Sequence, residues 1–325
     1  MSGAWQGMGA SARVPTAVIV AGPTCSGKSA LAMELADRLG GTVINADSMQ
    51  VYRELRILTA RPSPADEARV PHALYGVRPT AEPGSAAWWR TEALAAMAAS
   101  RMPILCGGTG MYLAALTTGI ADIPDPGPDA RTEARDLLAA IGPNALHARL
   151  ADADPATAAT LRPNDSQRIA RAWEVLRGTG QGLAAWHRLA PQPPPWQFRM
   201  ILLDPPRPDL RAAIAGRFAA MLDAGALDEV RVLLALHLDP ALPAMRAHGV
   251  PELAAFLAGA ITLAEATRRA ILATSQYTKR QATWFRGRSP VAPALTHTIH
   301  ARYAGCTQFS ESQWRALMQF VKDPG

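Results

Sequence analysis

Cysteine is scarce in this chain. Cys25, Cys106 and Cys306 are the only three in 325 residues, and no two form a C-x-x-C pair. That spacing supports neither a disulfide framework nor a structural zinc site. His147, His187, His237, His297 and His300 show no metal-ligand spacing either. No run of about eighteen uninterrupted apolar residues exists, so no membrane span is expected. Residues 1–13 lack the charged start and apolar stretch of a signal peptide. They read as a loose tail on a cytoplasmic protein. No internal repeat or low-complexity tract is evident, and nothing demands a dimer, so a monomer is expected. One further absence is local: between Arg268 and Arg288 there is no Asp or Glu. Six cations stand there (Arg268, Arg269, Lys279, Arg280, Arg286, Arg288), equal to the net charge of +6 for the whole chain. Such a patch is compatible with a polyanionic partner.

What is present suits a globular protein with room for two domains: 49% hydrophobic residues and 18% charged. The most informative stretch is Gly22-Pro23-Thr24-Cys25-Ser26-Gly27-Lys28-Ser29. It follows the apolar run 17–21 and precedes a helical pattern with Leu31, Leu35 and Leu39 on one face. Strand, glycine-rich turn and helix are the context a phosphate-binding loop needs. Its backbone N–H groups can wrap phosphate oxygens, and the following helix offers unpaired donors. Lys28 adds a point charge, and the Ser29 hydroxyl can hold a phosphate-bridging Mg²⁺. Cys25 has no identifiable base and reads as a small residue at a variable loop position.

The helix after the loop stops at Gly40-Gly41, and a second strand, 42–46, carries Asp47 at its carboxyl end. This start predicts an α/β fold with a parallel sheet flanked by helices, like that of P-loop NTPases. Ligands of such sheets sit at the carboxyl ends of strands, which places Asp47 beside the loop. Residues 48–80 read as irregular. A third strand, 103–106, runs into a second glycine cluster, 107–110. Residues 14–123 therefore form the first part of the core. From Pro124 to Trp196, prolines bracket short helices, and this stretch reads as a helical insertion domain closed by a stiff linker at 191–195. Residues 197–290 return to the core and end in a long basic helix. Residues 291–325 are a C-terminal tail with one candidate strand, 295–301, and a final helix from Ser310.

The loop alone leaves the reaction open. A small-molecule or nucleoside kinase would explain it, with Asp47 serving Mg²⁺. A kinase does not explain an insertion bearing Arg162, Arg168 and Arg171 together with the acid-free window. An RNA-binding protein that has lost catalysis is disfavoured by the intact Thr24, Lys28, Ser29 and Asp47.

Six motifs, in order, resemble those of the tRNA dimethylallyltransferases, also called tRNA isopentenyltransferases. They are G-P-T-x-S-G-K-S at 22–29, N-A-D-S-M-Q-V-Y at 45–52, G-G-T-G-M-Y at 107–112, P-N-D-x-Q-R at 163–168, R-A-W-E-V-L at 171–176 and Q-Y-T-K-R-Q-x-T-W-F-R at 276–286. The resemblance spans roughly residues 15–288. It implies transfer of the five-carbon group of dimethylallyl diphosphate to N6 of adenosine 37 in the anticodon loop of tRNA. The whole loop, Gly22 to Ser29, then holds the leaving diphosphate with Mg²⁺, the metal being held by Ser29. Asp47, Thr24 and Lys28 are the catalytic candidates, with Asp47 as the general base that an adenine amine of delocalised lone pair requires. Arg246 matches an arginine that reaches the diphosphate. Asp47, Ser48, Met49, Gln50, Thr109, Arg131 and the run Gln167-Arg168-Ile169-Ala170-Arg171 match residues that contact tRNA. Lys279 and Arg280 are expected to join them. The adenine would leave its stack to react.

The chain departs from the pattern at three places. Ser275 stands where many relatives have arginine, Val250 where many have tyrosine, and Arg61 where lysine is common. His72, after Pro71, matches a family Pro-His and reads as a satisfied structural histidine. Trp284 and Phe285 read as core rather than as stacking platforms.

Overall fold

The computed structural model describes residues 14–189 and 193–323. The expected N-terminal tail, 1–13, lies outside the described residues, as do Pro191 and Gln192 of the expected linker. The chain divides into two compact units, Met1–Thr117 with Pro194–Gly325, and Thr118–Pro193.

In the first unit, the apolar run folds as strand β1 (Thr16–Ala21), buried from Ala17 onward. Helix α1 (Lys28–Leu39) buries Leu31 and Leu35 and ends on Gly40 in the left-handed conformation. Strand β2 (Thr42–Asn45) follows. The stretch expected to be irregular contains helix α2 (Pro64–Arg69) and the short strand β3 (His72–Ala73). A capping box between Ser63 and Asp66 supplies α2 with its first-turn partners, and a proline inside the first turn costs no hydrogen bond there. Helix α3 (Ala86–Ala98), strand β4 (Pro103–Gly107) and helix α4 (Gly110–Thr118) complete this half.

The second unit is helical: α5 (Gly127–Ala153), α6 (Pro155–Ala158), α7 (Ser166–Thr179) and α8 (Leu183–Arg188). Gly142 leaves the helical conformation inside α5, just before Pro143, so that span is two helices meeting at a kink. A small core of Leu150, Ala158 and Ala172 holds the unit, with Trp173 and Leu176 packed against it.

The chain then returns to the first unit with strand β5 (Gln197–Leu203) and helices α9 (Arg207–Asp223), α10 (Ala226–Leu234), α11 (Val250–Leu257) and α12 (Leu263–Gly287). Strand β6 (Thr296–Ile299) and helix α13 (Glu311–Lys322) come last. The segment read as a tail is thus part of the core. Strand β6 pairs with β5, and Trp314, Leu317 and Val321 of α13 join the main cluster with Leu31, Leu35, Ile201 and Leu203. Arg199, buried on β5, faces Asp323 at 3.7 Å and lies over the Phe320 ring.

The six strands run in the order β3-β2-β4-β1-β5-β6, and every pairing is parallel. Parallel sheets covered by helices bury both faces, and β1, β4 and β5 are accordingly almost wholly buried. The register brings Ala21 beside Gly107, and Asn45 beside Cys106. The carboxyl ends of the three central strands β2, β4 and β1 therefore open side by side.

Candidate active site

Three strand ends supply the site. Gly22 follows β1, Ala46 and Asp47 follow β2, and Gly108 and Thr109 follow β4. They approach closely. The Ala46 N–H donates to the Cys106 carbonyl at 2.8 Å, and the Thr109 N–H donates back to the Ala46 carbonyl at 3.3 Å. A Cβ on Gly107 would lie 2.1 Å from the Ala46 carbonyl oxygen, so no larger residue fits there.

Asp47 is held rather than merely placed. The buried Asn45 side chain accepts from the Asp47 N–H at 2.8 Å and donates to the Asp47 carbonyl at 3.0 Å. It also donates to the Leu74 carbonyl at 3.1 Å. One Asp47 carboxylate oxygen accepts from the Met49 N–H at 2.9 Å, a local turn that leaves the other oxygen without a hydrogen bond among the described residues. The Ser48 N–H donates to the Thr109 hydroxyl at 3.0 Å. Gln50 donates to the Thr59 and Ala60 carbonyls at 2.8 and 3.0 Å, which ties that residue into the fold.

The phosphate loop joins this group through helix α12. Gln281, buried, accepts from the Thr24 N–H at 2.9 Å and from the Thr24 hydroxyl at 3.2 Å. Its amide nitrogen donates to the Gly108 carbonyl at 3.0 Å. Those partners fix which way the amide faces, because one is a carbonyl and the other an N–H. Tyr277 stands one turn earlier on the same helix. Burial foremost, and then the Asp47 charge, push its hydroxyl up to about 12, so it stays a donor. Burial likewise raises Tyr75 and Tyr112, which also feel Asp47. Cys106 is pushed up to about 11 by burial, against the pull of the Lys28 charge and a hydrogen bond with Ser29. It is a protonated, unreactive thiol.

These elements enclose a cavity of about 70 Å³. Thr24, Cys25, Asp47, Arg217 and Thr274 bring polar groups to its wall, and Leu58, Ile214, Phe218 and Met221 bring apolar ones. Arg217 projects from α9, with its guanidinium 3.8 Å from the Cys25 sulfur and 3.4 Å from the Thr59 carbonyl. Glu229 braces the neighbouring wall by accepting from the Ile57 and Leu58 N–H groups, each at 2.8 Å. His248 also lines the cavity, 5.1 Å from the Tyr277 ring, and burial lowers its pKa.

The expected site residues fall into groups. Thr24, Cys25, Asp47 and Met49 line the cavity, and Thr109 and Ser48 are hydrogen-bonded beside it. Gly22, Pro23, Ser26, Gly27, Lys28 and Ser29 complete the loop without entering that wall. Arg246 stands apart. It is exposed on a short 3-10 turn, lines no wall of this cavity and has no hydrogen bond or ion pair among the described residues. Arg217, which the sequence does not single out, lines the cavity instead. In the second unit, Gln167, Arg168 and Arg171 share one wall of a 350 Å³ cavity on α7, whereas Ile169 is buried in that unit and Ala170 is half-buried. Arg131 is exposed and paired with Asp125.

The acid-free window is less charged than its sequence suggests. Arg268 and Arg269 both pair with Glu265, one turn upstream, and Arg286 pairs with Asp204 at 2.9 Å. Lys279, Arg280 and Arg288 remain exposed and without an ion-pair partner among the described residues. Lys279 opens onto a second cavity, about 210 Å³, between α9 and α12, where Arg207 and Arg211 face it. Phe285 is buried and Trp284 half-buried, lying over Gly110. His72 bonds the Val70 carbonyl at 2.8 Å, and Arg61 donates to the Tyr52 and Arg53 carbonyls.

A parallel sheet carrying a glycine-rich phosphate loop after its first strand, with a carboxylate at the next strand end, defines a P-loop enzyme that handles a phosphorylated substrate. The comparisons narrow the class. A family model described as IPP transferase matches residues 50–288, and one described as isopentenyl transferase matches residues 15–72. The tRNA dimethylallyltransferase of Granulibacter bethesdensis is 63% identical over 94% of this chain and 98% of its own length. That of Rhodospirillum rubrum is 54% identical over 94% of this chain and 93% of its own. Among solved structures, a tRNA isopentenylpyrophosphate transferase from Bacillus halodurans is 29% identical, with a TM-score of 0.66 over 95% of this chain and 97% of that one. A eukaryotic dimethylallyltransferase acting on tRNA, 23% identical, shares the fold with a TM-score of 0.76 over 94% of this chain and 78% of that one. This chain belongs to the tRNA dimethylallyltransferase family.

Proposed function

We propose that this chain transfers the dimethylallyl group of dimethylallyl diphosphate to N6 of adenosine 37 in the tRNA anticodon loop and releases diphosphate. The observation that carries the reading is the wall of the first cavity. A phosphate loop and an arginine lie at one apolar chamber with Asp47, which suits a short hydrocarbon bearing a diphosphate better than it suits a nucleoside.

In the reaction, the bond from N6 to the allylic carbon forms as the carbon–oxygen bond to diphosphate breaks. The amine proton passes to Asp47, whose free carboxylate oxygen can accept it. Lys28, the free N–H groups of the loop and Arg217 stabilise the charge that gathers on the departing diphosphate. Thr24 orients the loop through Gln281.

The donor set fits Mg²⁺. No group of three or more His, Cys, Asp and Glu side chains among the described residues forms a metal cage, and Ser29 offers a single hydroxyl. Mg²⁺ keeps waters and takes substrate phosphates as its main ligands, so one protein oxygen suffices. Bound there by Ser29, it would neutralise diphosphate charge.

Lys279, with Arg207 and Arg211 across the second cavity, and the exposed Arg280 beside it on α12 would meet tRNA phosphates. The arginines of α7 and the segment 47–50 serve the anticodon loop. Among the described residues, no helix is long and apolar enough to cross a membrane. The reading is of a cytoplasmic monomer.

The test is an incubation with unmodified tRNA, Mg²⁺ and either labelled dimethylallyl diphosphate or γ-labelled ATP. Label should reach tRNA from the isoprenoid alone. Phosphate transfer from ATP would instead establish a kinase.

A further inference from the structure

The phosphate loop is gripped on its outer side by the segment that joins β6 to α13. Arg302 Nε donates to the Cys25 carbonyl at 2.9 Å, and the Tyr303 N–H donates to the Ser26 carbonyl at 2.9 Å. The approach is tight: a Cβ on Gly27, whose φ is +91°, would lie 2.0 Å from the Tyr303 carbonyl oxygen. Tyr303 is itself anchored. Its buried ring packs against Phe309 and Trp314, and Trp314 belongs to the main core. The grip is therefore transmitted from the hydrophobic core.

The two contacts fix peptide planes. In a trans peptide the C=O and N–H groups point in opposite directions. Holding the Ser26 carbonyl outward aims the Gly27 N–H inward, where it has no hydrogen-bond partner among the described residues. Holding the Cys25 carbonyl fixes the preceding plane, whose Ser26 N–H closes onto the Pro23 carbonyl at 3.2 Å. That turn carries Cys25 at φ +66°, a conformation L-residues avoid and surroundings must enforce. The Arg302 guanidinium makes no other hydrogen bond or ion pair among the described residues, so the loop carbonyl is its one polar partner.

We propose that Arg302, with the Tyr303 backbone, is a positioning group for the diphosphate loop. It sets the loop's peptide planes so that the Gly27 N–H faces the diphosphate before substrate arrives. Arg302 itself touches no substrate. The inference rests on the reading of the loop as a diphosphate cradle.

The experiment uses the full chain and the variants Arg302→Met and Arg302→Lys. Calorimetry measures inorganic diphosphate binding with Mg²⁺, kinetics give separate KM values for dimethylallyl diphosphate and tRNA, and a melt gives Tm. A charge-assisted hydrogen bond contributes roughly a factor of ten or more. Arg302→Met should weaken diphosphate binding and raise KM for dimethylallyl diphosphate about tenfold, leaving the tRNA KM and Tm unchanged. Arg302→Lys should recover part of the loss. Unchanged diphosphate binding in Arg302→Met overturns the role, and so does a parallel rise in the tRNA KM with a fall in Tm, which would mark general damage. A wild-type chain that binds no diphosphate overturns the reading of the loop and this inference with it.

Discussion

Gln281 and Thr24 lie 257 residues apart, yet the Gln281 carbonyl accepts both the Thr24 N–H and its hydroxyl. Helix α12 thus holds the phosphate loop while its other faces carry the exposed cations. Gln281→Leu would leave the Thr24 N–H and the Gly108 carbonyl without their partner, at about 1–3 kcal/mol each. We expect kcat/KM for dimethylallyl diphosphate to fall at least about tenfold and Tm to drop by several degrees. Steady-state kinetics and a thermal melt check both.

Asn45 does for Asp47 what Gln281 does for Thr24. Its side chain spans the N–H and carbonyl of Asp47 and the Leu74 carbonyl. Asn45→Ala should lower kcat by roughly tenfold to a hundredfold, the size of a misplaced catalytic group, while diphosphate binding persists. An unchanged kcat would show that the turn at Asp47 and Met49 suffices alone.

The basic helix should contribute fewer phosphate contacts than its sequence charge. Glu265 occupies Arg268 and Arg269, and their hydrogen bonds hold its carboxyl down at about 2. The pair Lys279→Ala and Arg280→Ala should weaken tRNA binding and flatten its dependence on salt by about two phosphate contacts. Arg268→Ala should change neither. Filter binding across a salt series gives the slopes.

His248 gives a pH signature. Burial lowers its pKa, Glu252 and Asp47 favour the proton, and Arg280 opposes it. The unfolded chain takes up a proton as pH falls through about 6.5, while the folded site keeps the ring neutral. Stability is therefore full above that pH and declines as pH falls toward the lower folded value. His248→Gln should lose that part of the slope in denaturant titrations at pH 7.5 and 5.5.

Much of this arrangement is written in local order. A strand, a glycine-rich turn, a helix and a second strand oblige Asp47 to open on the same edge as the loop, because all strands of a parallel sheet end on one edge; β4 lies between the two. Arg217 carries no such mark. It sits on an ordinary helix between the buried Ile214 and Phe218, and only packing turns its guanidinium toward Cys25. Arg246 is singled out by a one-residue match, and such a match does not specify exposure. Residues 291–325 read as a tail because β6 is short and half-exposed. Its partner β5 is remote in sequence, and a parallel pairing leaves no turn signature. The pairing of Arg268 and Arg269 does not show in the basic run itself, because Glu265 falls just outside it.

The central claim is that Asp47 takes the N6 proton. Its most direct test is single-turnover transfer of labelled dimethylallyl to tRNA by the wild-type chain and by Asp47→Asn, with tRNA and diphosphate binding measured on both. The account predicts a loss of transfer by about 10²–10⁴-fold in Asp47→Asn, with both affinities within a few-fold of wild type. Near-normal transfer by Asp47→Asn would contradict it.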